Sequence, residues 1–146
     1  MILAAGYDHL VGEWVAGQIP HLGSADALGP FVALGVQSDE GELLAGCVFH
    51  HYVPAYGTCE ITFAAVSPRW ATRSIIKRIL AVPFEQYGCH RVTAVTPASN
   101  ARAVKLLQGL GFTKEGAHVA AFGPKVNAFS FRMLRRDYRR LFVRKS

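Results

Sequence analysis

A mixed α/β (α+β) fold is what this sequence predicts: a mostly antiparallel central sheet, helices on both faces and one βαβ parallel crossover. Three observations carry that prediction. First, β-rich stretches at 31–37 (FVALGVQ), 42–53 (ELLAGCVFHHYV) and 58–66 (TCEITFAAV) follow one another through the short links SDEG (38–41) and PAYG (54–57). Links that short make hairpins, so these strands run antiparallel. Second, a helical stripe of Ile75, Ile76, Ile79, Leu80, Phe84 and Tyr87 separates the strand at 58–66 from RVTAVTP (91–97). A strand–helix–strand unit of that size requires its two strands to be parallel. Third, helical and strand periods interleave along the whole chain, which places helices on both faces of one sheet.

The elements follow in order. Asp8 opens a first helix over 7–18, with Leu10, Val11, Trp14, Val15 and Ile19 at helical spacing. HLGSADALGP (21–30) reads as loop with a short helical turn. Beyond the three strands, Pro68 stops the strand at 58–66 and the second helix covers 72–87, with Pro83 kinking it or ending it early. A third helix runs from Asn100 to Leu110 and carries Ala103, Leu106, Leu107 and Leu110 on one face. Strands near 112–121 and 126–134 flank the turn Gly123-Pro124, and a basic helix or tail closes the chain.

Composition narrows the class. The 146 residues suit one domain spanning 1–146, and 51% hydrophobic against 18% charged residues suits a packed core rather than a disordered chain. No apolar run approaches the ~20 residues of a bilayer span, so no membrane association is expected. MILAAGYDHLVGEW carries no basic region ahead of an apolar stretch, and no secretory signal is read there. Cys47, Cys59 and Cys89 are odd in number and widely spaced, which points to buried, reduced thiols in a cytoplasmic protein. The net charge of +6 concentrates at Arg132, Arg135, Arg136, Arg139, Arg140, Arg144 and Lys145. That cluster is either a solvated tail or a surface for nucleic acid, a ribonucleoprotein or an acidic partner.

Two stretches carry a resemblance. NARAVKLLQGLGFTKEG (100–116) resembles the asparagine-led helix, Gly-Phe turn and following strand of the GNAT superfamily of acyl-CoA N-acyltransferases. CEITFAAVSP (59–68) resembles that family's strand leading into its pyrophosphate loop. The resemblance extends from about residue 30 to 134, and ILA (2–4) is the one segment able to supply the family's opening strand. Two departures stand out. The family's loop pattern, Q/R-x-x-G-x-G/A, reads Ala71-Thr72-Arg73-Ser74-Ile75-Ile76 here, with the first residue and both small-residue positions changed. The helix position that carries a tyrosine general acid in many members falls on Leu107, which cannot exchange a proton.

The resemblance implies an acetyl-CoA-dependent N-acetyltransferase acting on a small amine, a lysine or a protein N-terminus by direct attack in a ternary complex. It implies that the strands at 58–66 and 91–97 splay past their middle to admit the pantetheine arm beside Ala65 and Val66, with the Val66 backbone N–H as oxyanion donor. The pyrophosphate would lie over Ala71, Thr72, Arg73, Ser74 and Ile75, which keep backbone N–H groups and the helix dipole although glycine is missing. Asn100 and Ala103 would complete the cofactor site. The plain alternative for the loop is an ordinary helix start capped by Thr72.

Glu60 matches the position of a catalytic glutamate in some members and is the first candidate base; His51 or His50 is the second. As strand neighbours, His50 and His51 are expected on opposite faces, unable to hold one metal together, and no metal site is expected. His118, on a late strand, is a candidate pocket residue. Cys59 and Cys89 have no histidine at a recognisable spacing, which argues against a thiol nucleophile. A second function class stays open: a catalytically degenerate module on the same fold, contacting nucleic acid or a ribonucleoprotein through its basic C-terminus. A homodimer through exposed sheet edges is also compatible with the sequence.

Overall fold

The computed structural model describes residues 1–19 and 22–143. Arg144 and Lys145 of the basic cluster, and His21 of the first loop, lie outside the described residues. The elements are β1 (Ile2–Ala4), α1 (Asp8–Gln18), β2 (Phe31–Gln37), β3 (Leu43–Val53), β4 (Thr58–Ala65), α2 (Arg73–Ala81), β5 (Arg91–Pro97), α3 (Ala101–Leu110), β6 (Thr113–His118), β7 (Ala128–Leu134) and α4 (Arg135–Tyr138). Short 3₁₀ turns occupy Ala25–Leu28 and Pro68–Trp70, and π-helical turns follow α2 and α4 at Val82–Gln86 and Arg139–Val143. Pro83 has no N–H to continue α2, which ends at Ala81 and gives way to the first π turn. No helix among the described residues is long and apolar enough to cross a membrane.

The strands form one seven-stranded sheet in the order β1-β2-β3-β4-β5-β7-β6. Every neighbouring pair is antiparallel except β4 with β5. Strand alternation sends Ala33 and Val48 toward α1, where they pack with Val11, Val15 and Leu28. The opposite face receives Cys47, Phe49 and Ile61 and packs against Ile75, Ile79 and Leu80 of α2 and Leu107 and Leu110 of α3. The helices therefore cover both faces, as the periodicity predicts. Leu10, expected in the first helix's apolar stripe, is 65% exposed, because α1 buries the turn of its surface bearing Val11, Gly12, Val15 and Ala16.

Close approach of α1 to the sheet depends on a glycine pair. Gly35 and Gly46 are cross-strand partners. A Cβ on Gly46 would lie 2.5 Å from Val15 Cγ2, and one on Gly35 would lie 2.7 Å from Leu43 Cδ2 and 3.3 Å from Val11 Cγ2. The glycines thus seat Val11 and Val15 of α1 directly on the backbone of β2 and β3.

The C-terminal segment corrects the reading of a solvated basic tail. Tyr138 and Phe142 are buried members of the core. Tyr138 stacks on Phe84 at 5.0 Å between ring centroids, lies 5.9 Å from Phe142, and donates its hydroxyl hydrogen to Glu85. Arg135 donates from Nε and Nη2 to the Cys89 carbonyl at 3.0 and 2.9 Å. In a chain of alternating cations and apolar residues, the i,i+4 pair Tyr138–Phe142 makes a hydrophobic stripe that outweighs the solvation of its neighbours.

Candidate active site

A cleft of about 1160 Å³ opens where β4 and β5 part. The two strands pair only at Thr58↔Arg91, Cys59↔Val92 and Glu60↔Thr93. Beyond Glu60, β4 stays paired to β3 as far as Ala65↔Ala45, while β5 stays paired to β7 as far as Pro97↔Ala128. Each strand keeps its outer partner and loses its inner one, so one edge of each faces the gap. The splay implied by the resemblance is present.

Hydrogen-bond direction decides which backbone groups face that gap. The Val66 N–H, expected to meet the oxyanion, instead donates to the Leu44 carbonyl at 2.9 Å and is engaged with β3. Neighbouring residues of an antiparallel strand point their N–H and C=O groups to opposite sides. Phe63 and Ala65 therefore direct theirs toward the gap that β5 has left. Ala64 and Ala65 line the cleft, and Val66 does not.

The loop between β4 and α2 is held by a buried anchor. The Ser67 hydroxyl accepts from the Arg69 N–H at 3.3 Å across the 3₁₀ turn, and Trp70 drops into the core at 2% exposure, 5.7 Å from the Phe63 ring. The Thr72 hydroxyl caps α2 by accepting from the Ile75 N–H at 3.3 Å. That cap leaves the Arg73 and Ser74 amides of the first turn without an intrahelical partner. Ala71 lines the cleft, whereas Ile75 is buried in the core and the Arg73 guanidinium lies 5.2 Å over the Phe142 ring. Asn100 caps α3 by accepting from the Ala103 N–H at 3.1 Å, and both residues line the cleft. Replacing Trp70 with alanine is expected to cost about 3–5 kcal/mol of stability. It should also loosen the loop, which thermal denaturation and limited proteolysis between residues 66 and 73 will detect.

At the closed end of the gap stands a cluster that alternation alone does not produce. His51 has φ +51°, a left-handed conformation in mid-strand, and the β3–β4 ladder jumps from His50↔Glu60 to Val53↔Thr58. This bulge re-aims the side chain. His50 and His51, expected on opposite faces, meet with their Nδ1 atoms 2.6 Å apart. His50 Nε2 lies 2.7 Å from Thr62 Oγ1 and 3.8 Å from Glu60 Oε2, and His51 Nδ1 lies 3.9 Å from Glu60 Oε1. His50, His51 and Glu60 offer ligand atoms within 4.8 Å of one another, which overturns the expectation that the two histidines cannot share an ion.

Burial pushes the Glu60 carboxyl up, with His51 pulling it partly back. Burial, then the neighbouring His51, holds His50 down to about 4. All three line the cleft; Glu60 is 28% exposed and His51 65%, whereas His50 is almost fully buried in its wall.

Other candidates sit elsewhere. His118 is absent from the cleft wall and lies 2.9 Å from Ser130 Oγ. Cys59 is buried with its thiol donating to the His50 carbonyl at 3.5 Å, and burial raises it to about 12, unsuited to nucleophilic work. The sequence reading missed Thr62 and Trp70. Thr62 was findable, since it shares the strand face of Glu60 two residues on; Trp70 has no marker of its own beyond Pro68.

Gln18, Ile19, Leu22, Leu28 and Phe122 also line the cleft.

Comparison with known proteins gives a family and similar solved structures. A family model described as "Acetyltransferase (GNAT) family" matches residues 8–112. No curated protein matches the chain in sequence. Among solved structures, mutant forms of the spermidine/spermine N-acetyltransferase SpeG from Vibrio cholerae share 16% identity at a TM-score of 0.73, covering 94% of this chain and 96% of theirs. A dodecameric spermidine N-acetyltransferase from Vibrio cholerae shares 18% at a TM-score of 0.72, covering 94% and 95%. A chimera of the Vibrio cholerae enzyme with hSSAT shares 17% at 0.71, covering 94% and 97%.

Proposed function

This chain belongs to the acetyltransferase (GNAT) family, and on that premise we propose that residues 1–146 form one enzyme that moves the acetyl group of acetyl-CoA to an amine by direct attack in a ternary complex. The single observation that carries the reading is the parting of β4 from β5 after Glu60↔Thr93, which exposes backbone groups of β4 along a cleft with small alanine walls. A pantetheine arm is a narrow chain with amide groups, and it can take the place of the missing strand. Ala65 would pair with it. Phe63, two residues nearer Glu60, would donate its N–H to the thioester carbonyl and hold the developing oxyanion, replacing Val66 in that role.

The residues at the start of α2 fit a pyrophosphate without glycine. The Arg73 and Ser74 amides and the helix dipole supply what an anion needs, and Ala71 leaves room for approach. Asn100 and Ala103 close the far wall. Glu60, in the cleft and flanked by His51, accepts the proton of the incoming ammonium so that the nitrogen lone pair can attack. The product thiolate is left at the open edge of β4, where solvent protonates it. The buried thiols of Cys47, Cys59 and Cys89 support a reducing, cytoplasmic setting.

Titrating the purified chain with acetyl-CoA in a calorimeter, with ATP as a phosphate control, tests the reading. Micromolar acetyl-CoA affinity without comparable ATP affinity is expected. Absence of heat at millimolar acetyl-CoA removes the transferase reading.

A further inference from the structure

The left-handed turn at His51 is not needed to place Glu60 in the cleft. A non-glycine residue in that conformation is held there at a cost of order 1 kcal/mol or more, which a surrounding structure must offset. What the turn achieves is the convergence of two imidazoles and a carboxylate from adjacent strands. We propose that His50, His51 and Glu60 form a binding site for a divalent transition-metal ion of the zinc class, with each histidine ligating through Nδ1.

The donor set supports this assignment. Two imidazole nitrogens and one carboxylate oxygen suit Zn²⁺ or Co²⁺ better than the all-oxygen shells of Ca²⁺ or Mg²⁺. Ligands about 2.0–2.1 Å from a tetrahedral ion lie roughly 3.3–3.4 Å from each other. Here the Nδ1 atoms, 2.6 Å apart, must separate, while the Glu60 oxygen, 3.9 Å from His51 Nδ1, must approach. One donor atom from each of the three residues lies within 4.8 Å of the others, so the changes are of ångström scale, and His51, at 65% exposure, is free to rotate. Nδ1 atoms 2.6 Å apart share a proton, and the metal takes that proton's place while His51 keeps it on the exposed Nε2.

The surrounding shell is also present. A metal-bound histidine donates through its other ring nitrogen to a fixed acceptor. His50 Nε2 has Thr62 Oγ1 at 2.7 Å for this purpose, and the buried ring is locked by its neighbours. All three ligands line the cleft, so the fourth coordination position opens toward the space where the acceptor amine would enter. An ion bound there engages the Glu60 carboxylate. On the proposed function above, it therefore inhibits acetyl transfer and is displaced by chelators.

The test uses the untagged full chain, stripped with EDTA and dialysed. Titration with Co²⁺, followed by visible absorption, should show one tightly bound ion with the intense bands of a four-coordinate nitrogen–oxygen site, displaced by Zn²⁺ at equal stoichiometry. His51→Gly removes one ligand yet accepts the left-handed backbone without strain. It should melt at or above the wild-type temperature and bind Co²⁺ at least about tenfold more weakly. His118→Ala, remote from the site, should bind as wild type. Absence of Co²⁺ absorption and of Zn²⁺ binding heat in the wild type overturns the site. Equal Co²⁺ affinity in folded His51→Gly overturns it as well. Because binding is read without acetyl-CoA, it fails or stands apart from the transferase reading. A filled site that leaves acetyl transfer at full rate removes Glu60 as the base while the metal site stands.

Discussion

Glu60→Gln should lower the turnover of acetyl transfer by about two to four orders of magnitude while leaving acetyl-CoA affinity within about twofold. The substitution keeps size and hydrogen-bonding capacity, so the strand pairings of residue 60 with His50 and Thr93 persist. It removes the one carboxylate among the described cleft-lining residues. The amine enters as an ammonium and must lose a proton before it attacks, and glutamine has no lone pair basic enough to take it. Acetyl-CoA would meet backbone groups of Phe63 and Ala65 and the start of α2, none of which the substitution alters. Steady-state kinetics with an accepted amine, paired with calorimetry, separates the two effects. Turnover within threefold of wild type excludes Glu60 as base and shifts the role to His51. A matching loss of cofactor affinity would instead mean that residue 60 shapes the cleft.

Ending the chain after Leu134 should abolish cooperative folding. The deletion removes Tyr138, 1% exposed, and Phe142, 9% exposed, together with the half-buried Leu141 and Val143. Loss of a buried aromatic side chain costs about 3–5 kcal/mol, and two such losses approach the whole 5–15 kcal/mol stability of an ordinary domain. The Arg135 hydrogen bonds to the Cys89 carbonyl disappear too, as does the Tyr138 partner of Glu85. Far-ultraviolet dichroism and a thermal scan test the expectation directly. A truncated chain with a sigmoidal melt within a few degrees of wild type would show the segment to be dispensable. The same reasoning limits how this segment can be studied as a nucleic-acid surface. Charge-reversing Arg136, Arg139 and Arg140 probes it, whereas deletion confounds binding with unfolding.

Much of the architecture was readable because its causes are local. β2 and β5 fall where alternation and β-branching put them, Thr72 caps α2, and Pro83 ends it. The parallel pairing of β4 and β5 follows from the crossover itself. The insertion of β7 between β5 and β6 is not local information, since a hairpin carries no mark of which strand will dock. The His50–His51–Glu60 convergence escaped for a sharper reason. Strand alternation predicts opposite faces, and nothing in HHYV announces that a histidine will take a left-handed backbone. Val66 points its N–H to β3 rather than the gap because hydrogen-bond direction flips with each step and depends on the β3 register. The C-terminal cluster misled because its cations are visible by count, while the burial of Tyr138 and Phe142 depends on the hollow left by Phe84 and Glu85.

The late position of β7 and of the segment after it has a consequence during synthesis. On one edge β5 has only three residues of β4 to pair with, and the full-length partner of its other edge, β7, begins at Ala128. A ribosome holding the chain at that stage presents an unpaired edge and an open pit above Phe84 and Cys89. The chain therefore cannot close as it emerges, however fast its first hairpins form. That edge of β5 is covered only once residues 128–143 clear the exit tunnel, and until then it is the edge that a chaperone or another nascent chain would find.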